Sequence, residues 1–202
     1  MGEFQRRIER IQKLNPEALQ ALLFENEDRG TAIMATGLLE DLLALAIIHK
    51  FKKQPSETQA TELFTGFGPF ATLSAKTSVA FLLGILPPDA KHDINTIRRI
   101  RNDFAHVIAP LTFETQDIAI RCRSLKLKAL LTDAIDERAG IGPKGHFIRS
   151  TMKIFALLLM DICISAVEKQ ILRERHEEVS KLVKEEFGKW VKFLPAKPSA
   201  SS

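Results

Sequence analysis

The feature that most constrains this chain is the spacing of its apolar residues. They recur at threes and fours through nearly every segment, and no stretch of alternating β-branched residues is present. That spacing lines one side of a helix, whereas a half-buried strand needs a period of two. Glycine and proline fall mostly between the periodic segments rather than inside them. The pattern predicts an all-α protein: a single helical bundle of about seven to nine helices with a long C-terminal helical segment.

Phe4, Ile8, Ile11 and Leu14 trace a short amphipathic helix, and Asn15-Pro16 opens a second that ends near Phe24. Asp28 is expected to cap a third, running to about Phe51. Its apolar side would be Ile33, Met34, Leu38, Leu42, Leu45, Ala46 and Ile48, and its opposite side is small (Ala32, Ala35, Thr36, Gly37), suited to close packing by another helix. Residues 52–61 are polar, contain Pro55 and read as a linker. In the stretch Leu63-Phe64-Thr65-Gly66-Phe67-Gly68-Pro69-Phe70, three phenylalanines surround two glycines. This reads as a hydrophobic loop tucked against the core, since a phosphate loop needs a strand before it and Gly-Lys-Ser/Thr after it. Thr72 or Ser74 begins another helix, with a left-handed cap available at Gly84. Pro87-Pro88-Asp89 opens a helix running to about His106, with Ile94, Ile97, Ile100 or Arg101, and Phe104 inward, and a shorter one follows from about Glu114 to Leu127, with a continuation to Ile135 left open. Gly140-Ile141-Gly142-Pro143-Lys144-Gly145 is the strongest break. From Phe147 to about Phe193 one long helix, or two joined near Arg173, is expected. Residues 1–194 are thus expected to form one domain and residues 195–202, rich in Pro, Ala and Ser, a disordered tail.

Apolar residues make up 45% of the 202 positions and charged residues 27%, the balance of a globular protein that needs no disulfide or metal to hold its core. Cys122 and Cys163 have no partner at metal-ligand spacing and read as reduced, buried thiols of a cytoplasmic protein. No metal and no cofactor is implied. Residues 1–14 lack the apolar core of a signal peptide. The longest apolar run, 154–167, is shorter than the roughly 20 residues a membrane span needs and contains Asp161, so no membrane segment is expected. The net charge of +4 permits a nucleic-acid partner without requiring one. Arg121, Arg123, Lys126 and Lys128 form a basic run with no acid among them, a weak candidate for contacting nucleic acid, and Arg98, Arg99 and Arg101 form a second cluster.

Several blocks together resemble the bacterial mannitol operon repressor (MltR-like) family. They are Asp28-Arg29-Gly30-Thr31-Ala32 leading into Leu38-Leu39-Glu40-Asp41-Leu42-Leu43, then Phe67-Gly68-Pro69-Phe70 with Ser74-Ala75-Lys76 and Leu83-Gly84-Ile85, and finally the segment from Ile97 to His106 with Leu111-Thr112-Phe113 behind it. The resemblance covers residues 25–125 and implies a compact helical bundle with a regulatory, repressor-like role. No helix-turn-helix with base-reading side chains is recognisable, so direct sequence-specific reading of DNA is not expected. Repression would then run through a protein partner or a small effector.

Arg101-Asn102-Asp103-Phe104-Ala105-His106 is the one segment that suggests chemistry. Arg101 and His106 resemble the Arg-x4-6-His motif of HEPN domains, many of which are metal-independent ribonucleases acting as dimers. An imidazole can move the proton of an RNA 2′-hydroxyl while a guanidinium stabilises charge on the phosphate, with Asn102 positioning. On an ideal helix, however, Arg101 and His106 are rotated about 140° apart, so both reach one phosphate only if the helix end unwinds or a second subunit contributes. The competing readings are structural, with Arg101 paired to Glu40 or Asp41 and His106 capping the helix, or a binding pocket. The favoured role is binding rather than catalysis, through Arg98, Arg101, Asn102, His106 and Lys76. A protein or a small effector is the expected partner, RNA is admitted, and a homodimer is compatible. Asp161 is expected to find a core partner in Lys76 or an arginine of the 98–101 cluster.

Overall fold

The computed structural model describes residues 6, 7, 9, 11, 19, 21–108, 110–127 and 139–191. Among them are a π-helical turn, Ala21–Glu25, and six α-helices with no strand: α1 (Asp28–Lys50), α2 (Glu57–Phe64), α3 (Leu73–Leu82), α4 (Pro88–His106), α5 (Gln116–Ser124) and α6 (Pro143–Val191). The chain is all-helical with a long C-terminal helix, as the periodicity predicts. Most of the expected helix over residues 4–14, most of the one after it, the continuation beyond Leu127 and the tail 195–202 lie outside the described residues.

The chain divides into two compact units, Met1–Cys163 and Ile164–Ser202, and α6 runs from the first into the second. In the first unit α1 packs on α4 and α3, α3 packs on α4, and α5 also packs on α4. Leu39, Leu42, Leu43 and Ile47 of α1 meet Ile94, Ile97, Ile100 and Phe104 of α4 in one buried cluster, joined by Phe113 and by Phe147, Ile154 and Leu158 of α6. Phe113 stacks between Phe104 and Phe147, with ring centroids 5.2 and 4.9 Å away. In the second unit Ile164, Val167, Ile171, Leu172 and Val179 are exposed.

Three expectations are corrected. The early part of α1 buries its small side, Ala32, Ala35 and Thr36, and leaves Ile33 and Met34 exposed. Small side chains let neighbouring elements approach closely, and that outweighs the larger area the two bigger residues would bury. Residues 52–61 are not all linker. Ser56 accepts from the Gln59 N–H and the Gln59 side chain accepts from the Ser56 N–H, a capping box that starts α2. In the loop after α2, Phe64 is buried against Phe51 and Phe70, while Phe67 is fully exposed. Gly68 has no room for a side chain, because a Cβ would lie 2.2 Å from the Glu62 carbonyl oxygen. By length and composition alone, α1 and the stretch Pro143–Lys181 of α6 could also cross a bilayer, a test that the core helix of a soluble protein passes as well. The apolar window of α1 is 67% buried in the bundle, as befits a core helix.

α3 and α4 begin and end where expected. Thr72 accepts from the Ala75 N–H at 3.1 Å, Gly84 closes α3 with φ +73°, and Pro88 opens α4.

Candidate functional site

Helix α4 is the element that positions most of the candidate residues. At 100° per residue, Ala90, Asp93, Ile94, Ile97, Ile100 and Phe104 fall on one side, and all are buried. Lys91, Asn95, Arg98, Arg99, Asn102 and His106 fall on the other. Of these Arg99 and His106 are exposed and the rest half-buried. Apolar periodicity sets this division, since the face that leaves water must be the one carrying isoleucines and phenylalanine.

The three acids of α4 are all engaged. Asp89 lies 3.1 Å from Lys126 Nζ, and Asp103 pairs with Arg121. Asp93 is fully buried and accepts from four donors: the N–H groups of Lys126 (2.9 Å) and Leu127 (2.8 Å), the Ser150 hydroxyl (2.8 Å), and His92 Nδ1 (2.9 Å). A carboxylate with no water around it must be satisfied in this way, and here it ties α4 to the end of α5 and to α6.

The arginines of α4 have no such partners among the described residues. There no acid pairs with Arg98, Arg99 or Arg101, Arg98 Nε is buried without a hydrogen-bond partner, and Arg101 Nη1 donates to Asn102 Oδ1 at 3.1 Å. The acids proposed for Arg101 are engaged elsewhere: Glu40 with Lys76 and Arg7, Asp41 with Arg7. His106 is the last residue of α4, and the helix is closed behind it by the Val107 N–H on the Asp103 carbonyl, at 3.0 Å. Because α4 stays helical to His106, the side chains of Arg101 and His106 keep their separation of about 140°. The structure therefore brings Arg98, Asn102 and His106 onto one face, sets Arg101 on the inner arc between Ala90 and Ile94, and does not converge Arg101 and His106 within the chain.

Lys76 does not belong with them. It is buried beneath α1, where its ammonium donates to Glu40 (2.7 Å) and to the carbonyls of Ala71 (2.8 Å) and Phe64 (3.5 Å). Burial lowers its pKa from the ordinary lysine range, an effect opposed by the hydrogen bond and charge of Glu40. Asp161 finds Lys50, at 2.8 Å, rather than Lys76 or an α4 arginine. In the second basic run Arg121 and Lys126 are ion-paired, Arg123 is exposed, and Lys128 lies outside the described residues. Cys122 is buried, and burial pushes its thiol up to about 12, whereas Cys163 is exposed, contrary to expectation.

Two residues that organise the site escape a reading of the sequence. Asp93 carries a signal, a lone acid inside the apolar arc of α4. Asp28 carries none: Glu27, not Asp28, is the N-cap of α1, and the Asp28 carboxylate instead accepts from the Phe113 N–H (2.9 Å) and pairs with Lys144 (3.0 Å), both distant in sequence. Arg29 beside it donates to the Val107 carbonyl at 2.9 Å and so secures the end of α4. Among the described residues no group of three His, Cys, Asp or Glu could hold a metal ion. An apolar cleft of about 460 Å³, lined by Phe51, Pro55, Leu63 and Pro69 with Lys53, Gln54, Gln59 and Glu62, contains none of the residues singled out from the sequence.

No protein-family model and no curated protein matches this sequence. Among solved structures, the chain is similar to one in the X-ray structure of the MtlR–HPr complex from Escherichia coli, with a TM-score of 0.53 and 18% identity over 76% of this chain and 99% of that one. At that identity the likeness is one of fold, an MtlR-like arrangement of helices.

Proposed function

We propose that this chain is a bacterial, cytoplasmic regulator of the mannitol-repressor type that acts by docking a protein partner on the outward face of α4. The observation that carries the reading is the asymmetry of that helix. Every acid of α4 is engaged, while Arg98, Arg99 and Arg101 of the same helix pair with no acid among the described residues. A guanidinium with unused donors supports binding to carboxylates, and arginine is enriched in protein interfaces. The fold neighbour, an MtlR in complex with HPr, makes HPr the first partner to try. The ribonuclease alternative gains no geometric support from a helix that keeps Arg101 and His106 on different sides.

The test is calorimetric titration with HPr of the wild type and of an Arg98→Glu/Arg99→Glu variant, paired with a reporter for the regulated operon. Saturable binding lost in the variant, together with lost repression, is expected. A variant that represses as well as the wild type overturns docking through this face, whichever partner binds.

A further inference from the structure

The second unit carries a strip of residues whose spacing reads the same from either end. Ile164, Glu168, Ile171, Leu172, Arg175 and Val179 of α6 follow one another at steps of 4, 3, 1, 3 and 4 residues. At 100° per residue they occupy a single strip of the helix, about 100° wide and about 22 Å long. All six are exposed, the four aliphatic residues by 50%, 46%, 65% and 55% in chain order. Buried Ser165 and half-buried Lys169 mark the side of the helix that is already covered, centred about 90° away from the strip. Helices in proteins owe most of their stability to packing an amphipathic face, and aliphatic residues left in water contribute none of it.

We infer that this strip pairs two copies of the chain, with the two α6 helices antiparallel about a two-fold axis that passes between Ile171 and Leu172. Such an axis sets Ile164 of one copy against Val179 of the other, Ile171 against Leu172, and Glu168 against Arg175. Charge complementarity selects this occupant. The acid on one side of the axis is answered by a base at the same distance on the other, so both ion pairs between the copies have opposite sign. A parallel pair would instead oppose Glu168 to Glu168 and Arg175 to Arg175. Val167 is exposed as well, at 58%, but a seam at heptad spacing through Ile164, Val167 and Ile171 runs on into Glu174 and Glu178 and ends there. A lipid surface fits less well, because Glu168 and Arg175 stand in the middle of the strip, where a helix lying on a membrane is apolar. Charges at core positions of a helix pair cost stability and fix its register, and here they fix an antiparallel one. The inference uses no residue of α4 and stands apart from the docking proposed there.

Sedimentation velocity of the full chain, at concentrations up to about 0.2 mM, should show a reversible monomer–dimer equilibrium. Glu168→Lys and Arg175→Glu each place like charges across the axis and should weaken dimerisation at least about tenfold, with unchanged circular dichroism. The double variant exchanges the two signs and should return to within about threefold of the wild type, which two independent losses would not do. Orientation is read by oxidation in a Cys163→Ser background. There, chains carrying Glu168→Cys should cross-link to chains carrying Arg175→Cys, and neither should cross-link to itself, since like positions lie about 10 Å apart along an antiparallel pair. A monomer at every concentration, single variants that dimerise like the wild type, a double variant no better than the singles, or self-cross-linking of either cysteine variant overturns the inference.

Discussion

The two sides of α4 make opposite use of charge. On the inner side Asp93, with no exposure at all, is held by two backbone N–H groups, a serine hydroxyl and a histidine, and its neighbours are isoleucines and a phenylalanine. On the outer side Arg98 and Arg99 pair with no acid among the described residues. A buried charge must be compensated where it lies, because desolvation costs several kcal/mol, whereas an exposed charge is compensated by water until something replaces that water. The inner charge therefore belongs to stability, and the outer charges are the ones the proposed docking would use.

That contrast can be broken in order of expected effect. Asp93→Ala leaves four donors without an acceptor and should cost about 4 kcal/mol, lowering the thermal midpoint by about 8–16 °C in calorimetry. A loss below about 1 kcal/mol would show that water replaces the carboxylate and that the inner charge is not structural. Lys76→Met should cost about 3 kcal/mol, because it leaves Glu40 with only Arg7, 3.9 Å away. Adding Glu40→Leu should restore part of that loss in chemical denaturation, and failure to do so would mean that lost packing rather than the stranded charge caused it.

The same lysine gives a pH dependence of defined sign. Its folded-state pKa lies below the unfolded value of 10.5, so the folded state binds fewer protons between the two. The stability of the wild type relative to Lys76→Met should therefore rise as pH rises towards 10.5, and a flat or falling difference would contradict the assignment. Thiol titration sharpens the comparison between inside and outside: near pH 8 Cys163 should react in the native protein and Cys122 only after unfolding, because burial holds the Cys122 thiol near 12. The smallest effect is expected on the outer face, where Arg99→Ala should change stability by less than about 0.5 kcal/mol. A larger loss would mean that this arginine is part of the fold and not of a docking surface.

The apolar spacing, the Pro87-Pro88 opening and the Gly84 stop were enough to place α3, α4 and the break before α6, because each depends on contacts within a turn or two of the chain. The Ser56 and Gln59 capping box was equally local and was hidden only by the polarity of its surroundings. The composition of the Arg98–Arg99–Arg101 cluster was also legible, and α4 periodicity sufficed to put Asn102 and His106 on one face. What tertiary structure alone decided is which charges are left over. Glu40 goes to Lys76 across 36 positions, Asp28 meets Phe113 across 85, and Asp161 takes Lys50. It also decided that Ile33 and Met34 face water while the smaller alanines beside them go in, which no single-helix pattern reveals. Helical periodicity is a property of neighbours in sequence, and charge neutralisation is a property of neighbours in space, so the sequence by itself determined the helices and the fold determined which of their charges are paired.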